Sequence, residues 1–147
     1  MLGIKIVTKI IAPFIKVKID RTDSTCFDFN NDTLIVGYDF NDDEYGFMRH
    51  LREVHDCKFA NLFSHRFWVI LHELGHYFTD EGIEDEKETL EIRTLCILIG
   101  DDAVKTNKDI QDMYFNLPSE FAATEWAINF IKTHKWLSIF LNRVAQF

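Results

Sequence analysis

Residues 69–78 read VILHELGHYF, a hydrophobic stretch that is interrupted by two histidines and a glutamate. Helical spacing places the imidazoles of His72 and His76 one turn apart on the same side, as two ligands of one tetrahedral zinc ion require. Glu73 is rotated by about 100° from His72, so it flanks that side without having to bind the metal. A carboxylate there can accept a proton from a water whose pKa the metal lowers. The spacing therefore predicts a zinc site with Glu73 as its general base.

A helix over residues 64–81 is predicted to carry this motif. Ser64 is typical of a helix N-cap, and Gly82 is typical of the position that follows a helix. Gly75 lies inside the helix, where glycine costs about 1 kcal/mol relative to alanine, which indicates that another element approaches closely there. A core face recurs at helical spacing and consists of Phe67, Ile70, Leu71, Leu74 and Phe78. The simpler alternative is an amphipathic helix with two ordinary histidines.

The third protein ligand that a catalytic zinc site normally has must come from outside residues 64–81. Thr79 and Gly82 occupy the positions in which the metzincin extension HExxHxxGxxH has Gly and His. Asp80 lies one turn beyond His76 and is better placed to hydrogen-bond to a ligand than to bind the metal. The carboxylates that follow are more simply the solvated face of the next helix; they are Glu81, Glu84, Glu86, Glu88 and Glu91.

Glu120 is the predicted third ligand. Residues 118–119, Pro-Ser, mark the start of a helix, and Ala123 and Ala127 share a face with Glu120. Small residues on that face let the helix lie against the helix of the HELGH motif. Glu125 is the competing carboxylate, but it points about 140° away from Glu120 on the helical wheel. The simpler alternative is a first-turn acid that the helix dipole favours.

The remaining chain predicts an α+β domain. Residues 15–19 alternate in the manner of a strand, and residues 26–40 predict a hairpin, so antiparallel strands come first. Helical spacing then takes over, and residues 101–112 are polar and predicted to be a loop. We predict helices near 43–56, 64–81, 84–99, 119–133 and 134–145. Strands followed by helices are typical of the α+β class, here as one domain over residues 1–147.

Composition limits the class of protein and its partners. The chain has 147 residues and a net charge of −8, which argues against non-specific binding to nucleic acid or to anionic lipid. No apolar run approaches the roughly 18 residues of a transmembrane helix, and lysines interrupt the apolar N-terminal stretch, unlike in a signal peptide. The cysteines have no CxxC spacing and are predicted to be reduced; they are Cys26, Cys57 and Cys96. We expect a cytoplasmic protein with no membrane and no direct nucleic-acid partner.

Two short motifs resemble those of a known family. HELGHYF at residues 72–78, followed by E-x-x-A-x-x-W-A at residues 120–127, resembles the ImmA/IrrE-type metallopeptidases, and the hairpin end TLIVGYDF adds to the likeness. Thr124 stands where that family often has asparagine. The resemblance implies a zincin-like, minimal gluzincin fold in which two histidines and the downstream glutamate hold zinc. It also implies cleavage of a protein, commonly a helix-turn-helix repressor of a phage or mobile element.

The expected activity is hydrolysis of a peptide bond in one or a few partner proteins, with Glu73 moving the proton. Such sites usually add a donor for the developing oxyanion. The sequence leaves four candidates for that donor, which are His65, Tyr77, Tyr114 and His134. An edge strand near residues 33–40 is expected to hold the substrate by β-augmentation.

Two alternatives to a peptidase follow from the sequence. The first is a non-catalytic, zinc-stabilised binding protein that sequesters a regulator or mimics nucleic acid; Glu73 speaks against it, because a structural zinc site needs no base. The second is attachment to a membrane or a partner through residues 130–147, FIKTHKWLSIFLNRVAQF, which suit an amphipathic helix. A helix that packs on the domain is the simpler interpretation of that tail.

Overall fold

A computed structural model describes residues 1–79 and 86–147, which fold as α+β with mostly helical structure. The described helices are α1 (Leu2–Ile11), α2 (Phe47–Glu53), α3 (His65–Thr79), α4 (Glu86–Ile99), α5 (Asp101–Thr106), α6 (Lys108–Phe115), α7 (Pro118–Thr133) and α8 (Lys135–Val144). The strands are β1 (Lys16–Ile19), β2 (Cys26–Asp28) and β3 (Thr33–Val36). The predicted α+β class is confirmed. None of the described helices is long and apolar enough to cross a membrane.

The three strands form a sheet in the order β1-β3-β2. The predicted hairpin is confirmed for residues 26–36, because β2 pairs antiparallel with β3 and Phe27 lies opposite Leu34. The expectation that its second strand reaches residue 40 is wrong, because Tyr38–Asn41 forms a 3-10 helix. The expectation that the strands are all antiparallel is wrong, because β1 runs parallel to β3. The central position goes to β3, the strand with the most buried side chains, since Leu34 and Val36 need neighbours on both sides. The strand near residues 33–40 is therefore not an edge strand, and the free edges belong to β1 and β2.

Two helical regions were not predicted. Leu2–Ile11 forms α1, although its many β-branched residues favour a strand locally, because Ile4, Val7 and Thr8 fall on one buried face at helical spacing. The predicted loop over residues 101–112 is wrong and contains α5 and α6. Their polar residues form exposed faces, while the buried set consists of Val104, Ile110, Gln111 and Phe115.

The helix of the HELGH motif, α3, runs through the core. Its start agrees with the prediction, since the Ser64 hydroxyl accepts a hydrogen bond from the Phe67 N–H at 3.3 Å. The predicted end near Gly82 lies outside the described residues, as does Asp80. Its largest core side chains are fully buried; they are Phe67, Trp68, Ile70, Leu71 and Leu74. The helices α7 and α8 lie within one or two residues of their predicted bounds.

Helix α3 packs against α7 with almost no side chain between the two backbones. A Cβ added at Gly75 would lie 2.5 Å from the backbone oxygen of Ala123, which is far too close for a stable contact. Ala123 and Ala127 are fully buried on the facing side of α7. The close approach that Gly75 and the paired alanines predicted is therefore present, and it brings Glu120 next to the histidines of α3.

Candidate metal centre

The two histidines of α3 and Glu120 of α7 come together at one point. Oε2 of Glu120 lies 2.9 Å from Nε2 of His72 and 3.4 Å from Nε2 of His76. The three side chains are buried, and one ligand atom from each lies within 4.8 Å of the others. Zinc bonds of about 2.0–2.1 Å would set the ligand atoms of a tetrahedral site about 3.3 Å apart, and the two distances from Glu120 to the histidines are close to that value.

Thr124 decides which nitrogen of His72 faces the centre. Its hydroxyl donates a hydrogen bond to the Glu120 backbone oxygen at 2.9 Å, and it lies 3.1 Å from Nδ1 of His72. Because the hydroxyl proton is already used, Nδ1 of His72 must be the donor in the second contact. Nε2 of His72 then faces the Glu120 carboxylate. The 2.9 Å contact between these two atoms requires a proton or a cation between them, and a divalent metal meets that need.

The electrostatics of the centre favour an ionised Glu120. Burial opposes ionisation of this carboxyl, but the hydrogen bonds with His72 and His76 outweigh burial and hold its pKa well below the ordinary range. Tyr114 adds a third contact, since its hydroxyl donates to Oε1 of Glu120 at 3.1 Å. The negative charge of Glu120 raises the pKa of Tyr114 well above its usual value, so the phenol keeps its proton. Glu120 is thus an anion with ligand geometry.

Glu73 lies beside the three candidate ligands and is also buried. Burial raises the pKa of Glu73 to about 8, and the charges of Glu120 and Asp39 act in the same direction. The charge of His76 and a hydrogen bond with the backbone of Phe27 oppose that rise. With this pKa the carboxyl of the metal-free centre holds a proton at neutral pH; a cation bound by the neighbouring ligands would lower the pKa and free the carboxylate to act as a general base.

A cavity of about 580 Å³ opens onto the centre, with His72, Glu73 and Glu120 among its lining residues. Its apolar surface includes Phe47 and Val69, which leaves room for a substrate side chain. Carboxylates dominate the charged lining residues away from the centre; they are Asp39, Asp42, Asp43, Glu44 and Asp101. Several of these have partners, for example Glu44 with Lys105 at 2.8 Å. The cavity is therefore an acidic pocket with an apolar wall.

The four candidate oxyanion donors fall into two groups. Tyr114 and His65 both line the cavity, and Tyr114 also touches Glu120. The ring of Tyr77 instead packs against Phe27, with ring centroids 5.6 Å apart, and His134 lies at the end of α7. The structure thus leaves Tyr114 and His65 as donors within reach of a bound substrate.

The competing carboxylate, Glu125, lies elsewhere. It hydrogen-bonds to Nδ1 of His55 and takes no part in the group formed by the α3 histidines. Thr124 is the residue that sequence reasoning missed, although a polar side chain between Ala123 and Ala127 on a packing face was a usable signal. It lies one turn from Glu120, which is the spacing needed to reach the same neighbour.

No family model matches this chain, and no curated protein or solved structure shows significant similarity to it. The likeness to the ImmA/IrrE-type peptidases therefore rests on residues 72–78 and 120–127 and stays a prediction. An assignment of function must explain a buried group of two imidazoles, His72 and His76, and two glutamates, Glu73 and Glu120, next to an acidic cavity.

Proposed function

We propose that this protein is a zinc-dependent, selective endopeptidase with a zincin-like domain. The observation that carries the proposal is the convergence of His72, His76 and Glu120, with the buried carboxyl of Glu73 beside them. A structural zinc site would be expected to close its fourth position with another Cys or His, and among the described residues no such side chain joins the group. A base with a raised pKa next to an incomplete ligand set favours catalysis.

The residues divide the chemistry among them. Zinc held by His72, His76 and Glu120 would act as a Lewis acid toward the scissile carbonyl and the attacking water. Thr124 keeps the correct nitrogen of His72 directed at the ligand position. Glu73 accepts the proton of the water and returns it to the leaving amine. Tyr114 stays protonated and lines the cavity, and its hydroxyl would donate to the developing oxyanion by releasing Oε1 of Glu120.

A protein with a basic face is the substrate class that the cavity favours. Its charged lining residues are mostly carboxylates, and opposite potentials speed encounter between two proteins. The family resemblance suggests a helix-turn-helix repressor, which carries such a face. The free edge of β2, rather than β3, is available for extended substrate, because Phe27 of this strand contacts Glu73.

The decisive experiment compares Glu73→Gln with Glu125→Gln in zinc-loaded protein. Both variants replace a carboxylate by an amide, but only Glu73 lies in the centre. Each protein is incubated with a proteome-derived peptide library, with casein and with a candidate repressor, and new N-termini are identified by mass spectrometry. We expect Glu73→Gln to keep its zinc and lose cleavage by about 10²–10⁴-fold, while Glu125→Gln stays close to wild type.

Selectivity is part of the same expectation. The wild-type protein should cut few sites in the repressor or library and leave casein almost intact. Rapid digestion of casein would contradict selectivity. Full biological activity in Glu73→Gln would reject the peptidase and favour the zinc-stabilised binding protein.

A further inference from the structure

Basic and acidic residues are distributed unevenly along this chain, and the net charge of −8 does not show this. Residues 1–19 and 126–147 contain seven of the 16 Lys and Arg residues and none of the 24 Asp and Glu residues. The remaining nine basic and all 24 acidic residues lie in residues 20–125, which therefore carry a net charge of −15. The two terminal segments meet in the fold, because α1 packs against α8. One region of an acidic protein is thus strongly basic.

Helix α1 presents apolar side chains to solvent as well as lysines. Its buried face packs on the domain, and a Cβ added at Gly3 would overlap the backbone of Val144 in α8. On the opposite face Leu2, Ile6 and Ile10 are spaced one turn apart and are 68%, 39% and 46% exposed. Lys5 and Lys9 alternate with them and are exposed too. Exposed apolar side chains that are grouped in this way are typical of an interaction surface.

Helix α8, which packs against α1, also has an exposed apolar face. Ser138 and Leu141 are buried on its inner side, whereas Trp136 and Phe140 are 80% and 55% exposed one turn apart. Lys135 lies over the ring of Trp136, and Arg143 is exposed in the last turn. The simpler interpretation of the tail, a helix that packs on the domain, accounts for one face of α8 and leaves the aromatic face without a partner among the described residues.

We propose that the exposed faces of α1 and α8, together named the terminal face, bind peripherally to the surface of an anionic phospholipid bilayer. Lysines beside exposed Leu, Ile and Trp are typical of interfacial helices, whose apolar side chains enter the headgroup boundary. Each Lys or Arg near the surface of an anionic bilayer adds to the attraction, and the apolar side chains hold the protein there. Phe14, in the turn after α1, is 87% exposed and adds a third insertion point.

A bilayer fits the terminal face better than nucleic acid does. Nucleic acid attracts cationic side chains, but it offers no apolar environment for Leu2 or Ile10, because its surface is mostly phosphate and sugar. The acidic remainder of the protein would be repelled by either polyanion, so it sets the terminal face toward the membrane. The expectation that the protein binds no membrane was based on the net charge of the whole chain. It did not take into account that the basic residues are concentrated in the two terminal segments. A peptidase docked this way would act on substrates at the membrane surface, but the binding itself does not depend on peptidase activity.

Vesicle flotation with the full chain tests the proposal. The probes are vesicles of pure phosphatidylcholine and vesicles of which one-third is phosphatidylglycerol, at low and high salt. We expect at least about tenfold stronger binding to the anionic vesicles, weakened by salt. Binding should also shift the emission of Trp136 to the blue, a shift that is absent in Trp136→Phe.

Matched variants distinguish binding through the terminal face from effects of net charge and from non-specific hydrophobic adsorption. The double variant Lys5→Glu with Lys9→Glu should lose about tenfold or more of its binding to anionic vesicles. The double variant Lys58→Glu with Lys87→Glu makes the same change in charge at exposed sites elsewhere and should bind as wild type does.

A second pair of double variants tests the contribution of apolar side chains to vesicle binding. Trp136→Ser with Phe140→Ser should weaken binding strongly, whereas Leu90→Ser with Leu98→Ser removes equally exposed apolar residues from α4 and should not. Absence of binding to anionic vesicles, or equal losses in test and control variants, would overturn the proposal. Tighter salt-dependent binding to duplex DNA than to anionic vesicles would assign the face to nucleic acid instead.

Discussion

Among the described residues, two pairs of histidines with buried side chains differ in how they contact carboxylates. His72 and His76 have ring centroids 4.8 Å apart, and His50 and His55 have centroids 5.1 Å apart. In the first pair both Nε2 atoms approach one oxygen of Glu120. In the second pair each Nδ1 has its own carboxylate, and neither Nε2 has a hydrogen-bond partner among the described residues. In both pairs the two imidazoles lie close together, but only in the first pair do they converge on one carboxylate.

The backbone explains the difference. His72 and His76 are four residues apart within one helix, so their ring nitrogens can aim at the same point. His50 lies in α2 and His55 follows its end, so the two rings approach Asp112 of α6 and Glu125 of α7 separately. The first pair has a geometry that is able to hold a cation, while the second links α2 to two neighbouring helices. The second pair is therefore an internal control for experiments on the first.

The largest effect is expected on metal binding. His76→Ala and Glu120→Ala each remove one of three ligands and should abolish stoichiometric zinc, because two ligands do not complete a catalytic site. His55→Ala removes an equally buried imidazole that has no place in the group and should keep one zinc per chain. Elemental analysis after gel filtration measures the content. Stoichiometric zinc in His76→Ala, or its loss in His55→Ala alone, would break the comparison.

A smaller effect is expected from Thr124, which supports a ligand without being one. Thr124→Val keeps the shape but cannot accept the hydrogen bond of His72 Nδ1, so zinc affinity should fall about 10–100-fold. Thr124→Ser restores the hydroxyl and should restore the affinity. Competition with a chromophoric chelator gives both values. An unchanged affinity in Thr124→Val would show that the orientation of His72 is set by packing.

Gly75→Ala tests the close contact that gives the first pair its shared carboxylate. The added methyl group would meet the backbone oxygen of Ala123, so α3 and α7 must separate, at a cost of about 1–3 kcal/mol in the free energy of unfolding. Chemical denaturation measures this loss, and zinc affinity should fall with it. Ala123→Gly in the same chain should not restore stability, because the overlap involves backbone. Recovery in that double variant would contradict the geometry.

The smallest effect concerns the second pair and its dependence on pH. Burial lowers the pKa of His50 below its ordinary value near 6.5, against the opposing hydrogen bond with Asp112. The unfolded chain therefore binds more protons than the folded chain just below pH 6.5, and the free energy of unfolding falls as the pH drops. His50→Gln should reduce that slope by up to about one proton. Urea unfolding of metal-free protein between neutral and mildly acidic pH measures it, and an identical slope would show that His50 titrates normally.

Local periodicity explains which parts of the fold and site were predictable. The positions of His72, Glu73 and His76 follow from one helix, and Glu120 followed from a helix start with small residues on one face. Neither inference needs contacts between distant parts of the chain. Thr124 was missed because its role depends on the hydrogen-bond chain from His72 to the backbone of Glu120, which exists only after two helices meet.

Long-range contacts account for the errors in the fold. The parallel pairing of β1 with β3 depends on which strand takes the central place, and burial of Leu34 on both sides decided that. Likewise α1 is a helix because its inner face packs on α3 and α8, whereas its own residues favour a strand. In each case tertiary packing overrode a local preference.

The contact between Gly75 and Ala123 also bears on how such a protein can change over evolutionary time. Because the spacing of α3 and α7 is set by backbone against backbone, the surrounding core can exchange one apolar residue for another without moving the ligands. Only a few positions are then required for the geometry of the site, and substitutions elsewhere in the chain have little effect on it. We therefore expect relatives of this chain to share the motifs at residues 72–78 and 120–127 more than the rest of the sequence, so they are best sought by the pairing of those motifs.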